Sequence, residues 1–573
     1  MFTLTYRFVL LIVALLAAAC APAAAPSGGR TTSSNPSAPS AEPARTLVAA
    51  VRVEPLTLAV RSLREQGIAV YLSSRMFNAE MAILDETGNP RPYLVEASPK
   101  LNTPSWQVFP DGRMETTYQL KANLKWHDGT PLTADDFIFS WRLYSTPELG
   151  GVGLPMSIIE DVQAPDARTV VVKWRQPYPD AESLTVRNAG FPAMPRHILE
   201  GAYQSGQWDN FVNHPYWTSE YVGLGPFKLD RWEPGGFIEA SAFNDHVGGR
   251  AKIERMKILF IGNANTALAN MLAGEIQFSA DTAVRTAQVM ILRREWGADG
   301  GTAVLHPNQW RAALFQLRPE LATPASITDL RVRKALAHAL NKDPINEAVY
   351  ENSSLVADTT TPPLTELGKA MDRAIAKYPF DLRRSEQLMT EAGYQKGSDG
   401  TWVSPTMGRF RGEATTNAAT DNEAELSILS RDWRVAGFDI QENVVAAGME
   451  RDPQLRATFP SIWVQNTSVG ESAMLNHATS RIPRPENRWQ GGNRGGWSNP
   501  EFDRLLDLYS TELDRVKHDQ LMVDMAKVQA DDLPAISIFF VTQPWAFTSA
   551  LKGPKLVAPD TNMSWNIETW EFR

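Results

Sequence analysis

The chain has 573 residues, 43% hydrophobic and 21% charged, the proportions of an ordinary globular protein long enough to build two or more cores. Its net charge of -9 and the absence of any basic run exclude a nucleic-acid groove, which needs concentrated lysine and arginine. Its single cysteine excludes an intramolecular disulfide, and its eight histidines form neither an H-E-x-x-H pair nor a Cys/His metal cluster.

In chain order, residues 1–19 have the build of a signal peptide. Arg7 supplies a positive start, residues 8–16 are apolar but too few to span a membrane comfortably, and Ala17, Ala18 and Ala19 are the small residues before Cys20. The position of Cys20 resembles a bacterial lipobox, with Ala17 where leucine is usual. That resemblance implies lipidation of Cys20 and an anchor on the cell membrane. Residues 20–45 are Ala, Pro, Ser, Thr and Gly with almost nothing larger than alanine to bury, so they read as a disordered linker. As a coil it reaches about 25–30 Å, a leash for a tethered domain.

The globular part opens with a strand over 46–53. Residues 117–120 read as a short strand, and Asp128-Gly129 and Pro131 are turn punctuation. Thr133 caps a helix, Asp136 stands three residues on as in a capping box, and Phe137, Trp141 and Tyr144 form its buried stripe. A strand over 256–261 precedes a helix over 265–273 closed by Gly274. From about His306 a second such set begins. It has a strand over 313–317, a helix capped by Asp329, another started by Asp343-Pro344, and helices closed by Gly393 and Gly437. Asn499-Pro500 opens a helix bearing Phe502, Leu505 and Leu506. A further helix around Met525 leads into a strand over 536–541. The pattern alone supports two α/β lobes.

Six collinear stretches carry a family resemblance. Leu120, Lys121, Trp126, Asp128, Gly129, Pro131, Thr133, Ala134 and Asp136 resemble "L-R-x-x-x-x-W-x-D-G-x-P-x-T-A-x-D", with Lys121 in place of arginine. Residues 223–229 (GLGPFKL) are similar to G-T-G-P-Y-K-L, 271–277 (MLAGEIQ) to a block ending S-G-E-I-D, and 329–336 (DLRVRKAL) to D-x-R-V-R-x-A-L. Residues 390–394 (TEAGY) and 497–503 (WSNPEFD) resemble L-x-E-A-G-Y and W-x-N-P-E-F-D. On these blocks, which extend the resemblance from Arg45 to about Lys555, the chain is identified as similar to the extracellular solute-binding proteins of family 5, the oligopeptide and dipeptide receptors of bacterial ABC importers.

The resemblance implies a two-lobe α/β fold of the periplasmic-binding-protein type (class II), with a two-segment hinge. Lobe one would take residues 46–305 and 548–573, with an extra subdomain of about 76–210, and lobe two 306–547. It further implies a monomeric extracytoplasmic receptor without cofactor or catalytic residues. Such a receptor encloses a peptide or similar small solute between its lobes and delivers it to membrane permease subunits.

In the peptide receptors a loop resembling W-x-x-D-Y supplies an aspartate for the peptide's α-amino group. The corresponding stretch here, 459–468, holds Trp463, Gln465 and Asn466 and no acid until Glu471. A buried ammonium without a carboxylate is costly, so neutral Gln465 and Asn466 suit a neutral, glycan-like or blocked ligand. Trp463 either stacks on that ligand or packs beneath the loop. Arg52 and Glu54 follow the first strand, and Glu54 is either a substitute amine partner or a surface ion-pair former. Asn308 and Trp310 stand at the expected hinge as ligand contacts or as packing. Arg481 and Trp489 belong to RIPRPENRWQGGNR, with four arginines, either a flap that clamps an anionic or aromatic group or a solvated loop. Oligosaccharides and metal chelates are alternative solutes within the family. The competing class is a glycosidase-like lipoprotein hydrolase built on two carboxylates, although no G-x-S-x-G elbow or P-loop is present.

Overall fold

The computed structural model describes residues 46–63, 71–149, 154–184, 190–446, 448–450, 452–559 and 561–573; the leader and the whole linker, with Cys20, lie outside them. One eleven-stranded mixed sheet runs through both lobes. Its strands are β1 (Thr46–Val51), β2 (Phe227–Glu233), β3 (Phe237–Ala242), β4 (Arg255–Phe260), β5 (Phe278–Ser279), β6 (Gly301–Phe315), β7 (Leu355–Val356), β8 (Arg411–Asn417), β9 (Asp439–Val445), β10 (Ile462–Ser468) and β11 (Ala535–Thr548). They lie in the order β9-β8-β10-β6-β11-β5-β1-β4-β3-β2, with β7 added on β11.

The two central strands carry the chain from lobe to lobe. β6 and β11 pair antiparallel from Gly301 opposite Thr548 to Leu314 opposite Ala535, with register shifts between Pro307 and Gln309 and between Arg311 and Ala312. At one end β11 pairs with β5, and at the other β6 pairs with β10. The sequence reading places short strands at 313–317 and 536–541. Both are longer, and Pro307 and Pro544 sit inside the ladder. Pro307 adjoins a bulge, where a missing N–H is tolerated.

In lobe one, Leu47 and Ala49 of β1 pack with Ile238, Met256 and Ile258 and with the C-terminal Ile567 and Trp570. A separate four-stranded sheet, ordered Trp106–Val108, Met114–Gln119, Thr169–Trp174, Ile159–Asp166, joins the same core through Tyr118, Val170 and Trp174. In lobe two, one face of the sheet (Ala313, Phe315, Val464, Ile536) packs on helices Leu330–His338 and Thr420–Val435. The other face gathers Trp310, Leu314, Trp463 and Phe540.

The first family-like segment folds as its local chemistry dictates. The Thr133 N–H donates to Asp136 Oδ2 (2.9 Å) at the start of helix Ala134–Tyr144, and the Arg196 N–H donates to Asp136 Oδ1 (3.1 Å). Burial raises the Asp136 pKa against these bonds. His127 then docks on a second family-like stretch. The Gly223 N–H donates to Nδ1 (3.1 Å), so Nε2 carries the proton and donates to the Gly225 carbonyl (3.0 Å). Gly225 is needed for close approach, since a Cβ there would lie 2.3 Å from the Met76 carbonyl oxygen. Two motifs that identify the chain thus brace each other. Elsewhere the helix expected to start at Asp343-Pro344 begins one residue earlier, at Lys342, because Asn341 supplies the cap, accepting from the Asp343 N–H (3.2 Å).

Candidate functional site

A cavity of about 520 Å³, counting its open mouth, lies where the crossing strands leave lobe one. β6 contributes His306 and Asn308, β11 contributes Gln543 and Trp545, the turn after β5 contributes Asp281, and the C-terminal segment contributes Thr561. The β5 turn is strained: Asp281 and Thr282 have φ of 47° and 62°, consecutive left-handed conformations without glycine, one at a β-branched residue. Asp281 Oδ2 accepts from the Leu72 N–H (3.3 Å), which helps hold the turn.

His306 is 8% exposed, and its ring meets Trp545 edge-on at 6.1 Å. Desolvation pushes its pKa down to about 4, against a backbone hydrogen bond at Ala558, so the ring is neutral at pH 7. Its Nε2 and the Thr561 Oγ1 are both buried without a hydrogen-bond partner among the described residues. Across the bulge the Asn308 amide donates to Gln543 Oε1. The arrangement offers polar groups, a carboxylate and an indole face to a bound molecule.

The other sequence candidates go to different places. Glu54 is engaged locally: Oε1 accepts from Trp232 Nε1 (2.6 Å) and Oε2 from the Gly235 N–H (2.9 Å). Arg52 is partly buried, its Nε has no partner among the described residues, and desolvation followed by the charge of Arg285 lowers its pKa. Trp310 is buried, donating to Ser537 Oγ (3.1 Å) and packing on His477. It adjoins a second cavity of about 500 Å³, whose charged residues Lys342 and Lys377 both pair with Asp358, at 3.1 and 3.7 Å. Trp463 is 1% exposed and packs on Phe459. Asn466 is exposed and accepts from Arg311 (3.3 Å), whereas Gln465 is buried and accepts from Arg494.

Arg481 and half-buried Trp489 lie on the loop before helix Pro500–Tyr509; Arg481 is exposed, with a 3.4 Å contact to Asn476 Oδ1. Arg318 ties this loop down. Its guanidinium donates to the carbonyls of Pro483 (3.0 Å), Arg494 (2.7 Å) and Ala457. Glu471, the first acid after residues 459–468, hydrogen-bonds Tyr509, and its charge acts with that of Asp180 on both Tyr509 and Tyr178. Burial is the largest cause of the raised pKa of each tyrosine. Tyr178 and Tyr509 belong to different hydrophobic cores, which come together here. Sequence reasoning did not single out Asp281, His306, Gln543 or Thr561, which converge only through the crossing of distant segments.

Known proteins share this architecture. The oligopeptide-binding protein of Thermus thermophilus, solved with a pentapeptide, is 22% identical with a TM-score of 0.71, covering 92% of this chain and 96% of that one. NikZ of Campylobacter jejuni, solved with Ni(L-His), is 21% identical with a TM-score of 0.71 and covers 92% and 100%. A Brucella ovis protein, described as a candidate ABC transporter peptide-binding protein, is 28% identical over 300 residues. That match spans 51% of this chain and 51% of the Brucella protein, so the chain spans about half the length of this relative. Residues 96–476 match the family model "Bacterial extracellular solute-binding proteins, family 5 Middle", and the chain belongs to that family.

Proposed function

We propose that this protein is the substrate-binding receptor of an ABC importer, holding a peptide or similar small solute at the crossing of β6 and β11 and passing it to permease subunits. The carrying observation is the cavity itself, lined from both crossing strands and containing the unpartnered His306 Nε2 and Thr561 Oγ1. Buried polar groups of this kind are normally hydrogen-bonded, and the polar backbone of a peptide supplies both donors and acceptors. Lobe one then comprises 46–305 and 548–573, with a subdomain of about 76–210, and lobe two 306–547. The bulge at Pro307 and Gln309 is the hinge about which the lobes close. Cys20 is the lipid anchor and the leader directs export, leaving the receptor on the outer face of the cytoplasmic membrane or in the periplasmic space. The names of the relatives support the peptide class.

Native mass spectrometry of the protein as purified, followed by melting shifts with short peptides, oligosaccharides and metal chelates, tests the reading. A retained or stabilising peptide supports it. A glycan or chelate moves the solute class, and no ligand-dependent shift in any series refutes the receptor. Palmitate labelling that is lost in Cys20→Ser tests the anchor.

A further inference from the structure

The second cavity, about 500 Å³ with its open mouth, shares no lining residue with the one that holds His306. β6 contributes Trp310 to it, β11 contributes Ala535 and Ser537, and helix Arg515–Asp532 contributes Gln529. The polar side chains of its lining are engaged, with one exception. Lys342 Nζ donates to the Ala357 carbonyl (2.8 Å) and pairs with Asp358, and Lys377 is held by Asp372 at 2.9 Å as well as by Asp358. Trp310 donates to Ser537 Oγ (3.1 Å), the Tyr378 hydroxyl donates to the Ala530 carbonyl (2.8 Å), and Thr359 Oγ1 accepts from the Thr361 N–H (3.4 Å). The exception is Gln529. It is 8% exposed, it lines the cavity, and its side-chain amide makes no hydrogen bond among the described residues.

A buried amide is normally hydrogen-bonded, because leaving it unpaired forfeits its hydration with no return. Gln529 shares the buried face of its helix with Met522, Met525 and Ala526, where an apolar side chain would avoid that cost. Small side chains keep the space open, since Ala376, Ala526, Ala530 and Ala535 all line it, and exposed Lys377 marks the mouth. The charges of the lining are already matched, both lysines by Asp358 and Lys377 also by Asp372. A charged molecule would therefore enter with its own charge unpaired. What the cavity lacks is a neutral hydrogen-bonding partner. A glutamine amide presents a donor beside an acceptor, and it makes two bonds at once to any group that presents the complement, as it does to the edge of adenine.

We propose that this cavity is a second binding site, for a small neutral molecule that presents a carboxamide or lactam edge to Gln529. The inference does not rest on the receptor reading, because it concerns a different cavity with a lining of its own. Occupancy would tie helix Arg515–Asp532 to the strands β6 and β11 through a bound molecule.

The test uses three probes of nearly one shape: benzamide, N,N-dimethylbenzamide, which keeps the carbonyl but has no N–H, and benzoate, which carries a charge. Saturation-transfer NMR titrations measure their binding to the wild-type protein, to Gln529→Leu and to Gln529→Met, and melting without ligand checks that each variant folds. The expected result is saturable wild-type binding of benzamide, about tenfold weaker binding of the other two probes, and loss of that discrimination in both variants. A cavity that holds only water gives no saturable benzamide binding, which overturns the inference. Equal wild-type affinity for benzamide and its dimethyl derivative overturns it as well, and so does a preference that survives in a folded Gln529 variant. Tighter binding of benzoate than of benzamide would make the cavity an anion site and overturn the assigned class. If Gln529→Leu does not fold, Gln529→Met, which keeps the length of the side chain, carries the same comparison.

Discussion

Replacing Glu425 with glutamine should destabilise the protein by about 3–5 kcal/mol, the cost typical of stranding one partner of a buried ion pair. Glu425 is 0% exposed and Arg311 2%. The Arg311 Nε donates to Glu425 Oε2 at 2.6 Å, a second guanidinium nitrogen joins the same carboxylate, and Tyr350 donates to Oε1 at 3.4 Å. Because Arg311 also reaches Asn466 on β10 (3.3 Å), the pair fixes the crossing strand β6 to helix Thr420–Val435 and to the strand bearing Gln465. The glutamine cannot neutralise the guanidinium, so a full positive charge stays buried. A shape-matched double variant, Arg311→Met with Glu425→Leu, removes both charges and should recover most of the loss, since apolar replacement of a buried pair is often neutral or better. Guanidinium unfolding followed by tryptophan fluorescence measures both. A loss below about 1 kcal/mol in Glu425→Gln, or a double variant no better than the single one, would refute the reasoning.

Three further outcomes are expected. Stability should fall as pH drops from about 6.5 toward 4. Burial holds His127 and His477 at about 4 and His246 at about 3, so below their ordinary 6.5 the unfolded chain takes protons that the folded one refuses, at about 3 kcal/mol per histidine; a melting temperature flat between pH 7 and 4.5 would contradict this. Gly225→Ala places a Cβ within 2.4 Å of backbone atoms of Phe77 and Asn78 and should cost about 3 kcal/mol, read as a lowered melting temperature. His306→Phe keeps the contact with Trp545 but removes both ring nitrogens, so solute affinity should drop about tenfold in titration calorimetry, with a lower unliganded melting temperature from the lost bond at Ala558; unchanged affinity would remove His306 from the site.

The first family-like segment was legible because its logic is local. A cap and its acid three residues on, a turn glycine and a helical stripe are all written within about 30 residues, and Thr133, Asp136 and Phe137 occupy those roles. The cavity had no such signal. Asp281 and Thr282 adopt left-handed φ without the glycine or asparagine that usually marks it, and His306 is joined to Gln543 and Thr561 only by the pairing of β6 with β11.

Two prolines in the crossing strands sharpen the case for the hinge. Pro544 stands opposite Leu305 and Pro307 opposite Thr542, so two N–H donors are missing from one short stretch of ladder, beside a register shift. A pair of strands built only to join two cores would gain from an unbroken ladder. Here the weakened stretch coincides with Asn308, Gln543 and the cavity, whereas from Ala312 to Leu314 the pairing is regular and buried. Bending is therefore cheapest beside the proposed ligand, and a solute that bonds groups on both strands there would stiffen the same stretch. On this reading the breaks in strand pattern near residues 307 and 544 mark the element that couples binding to lobe closure.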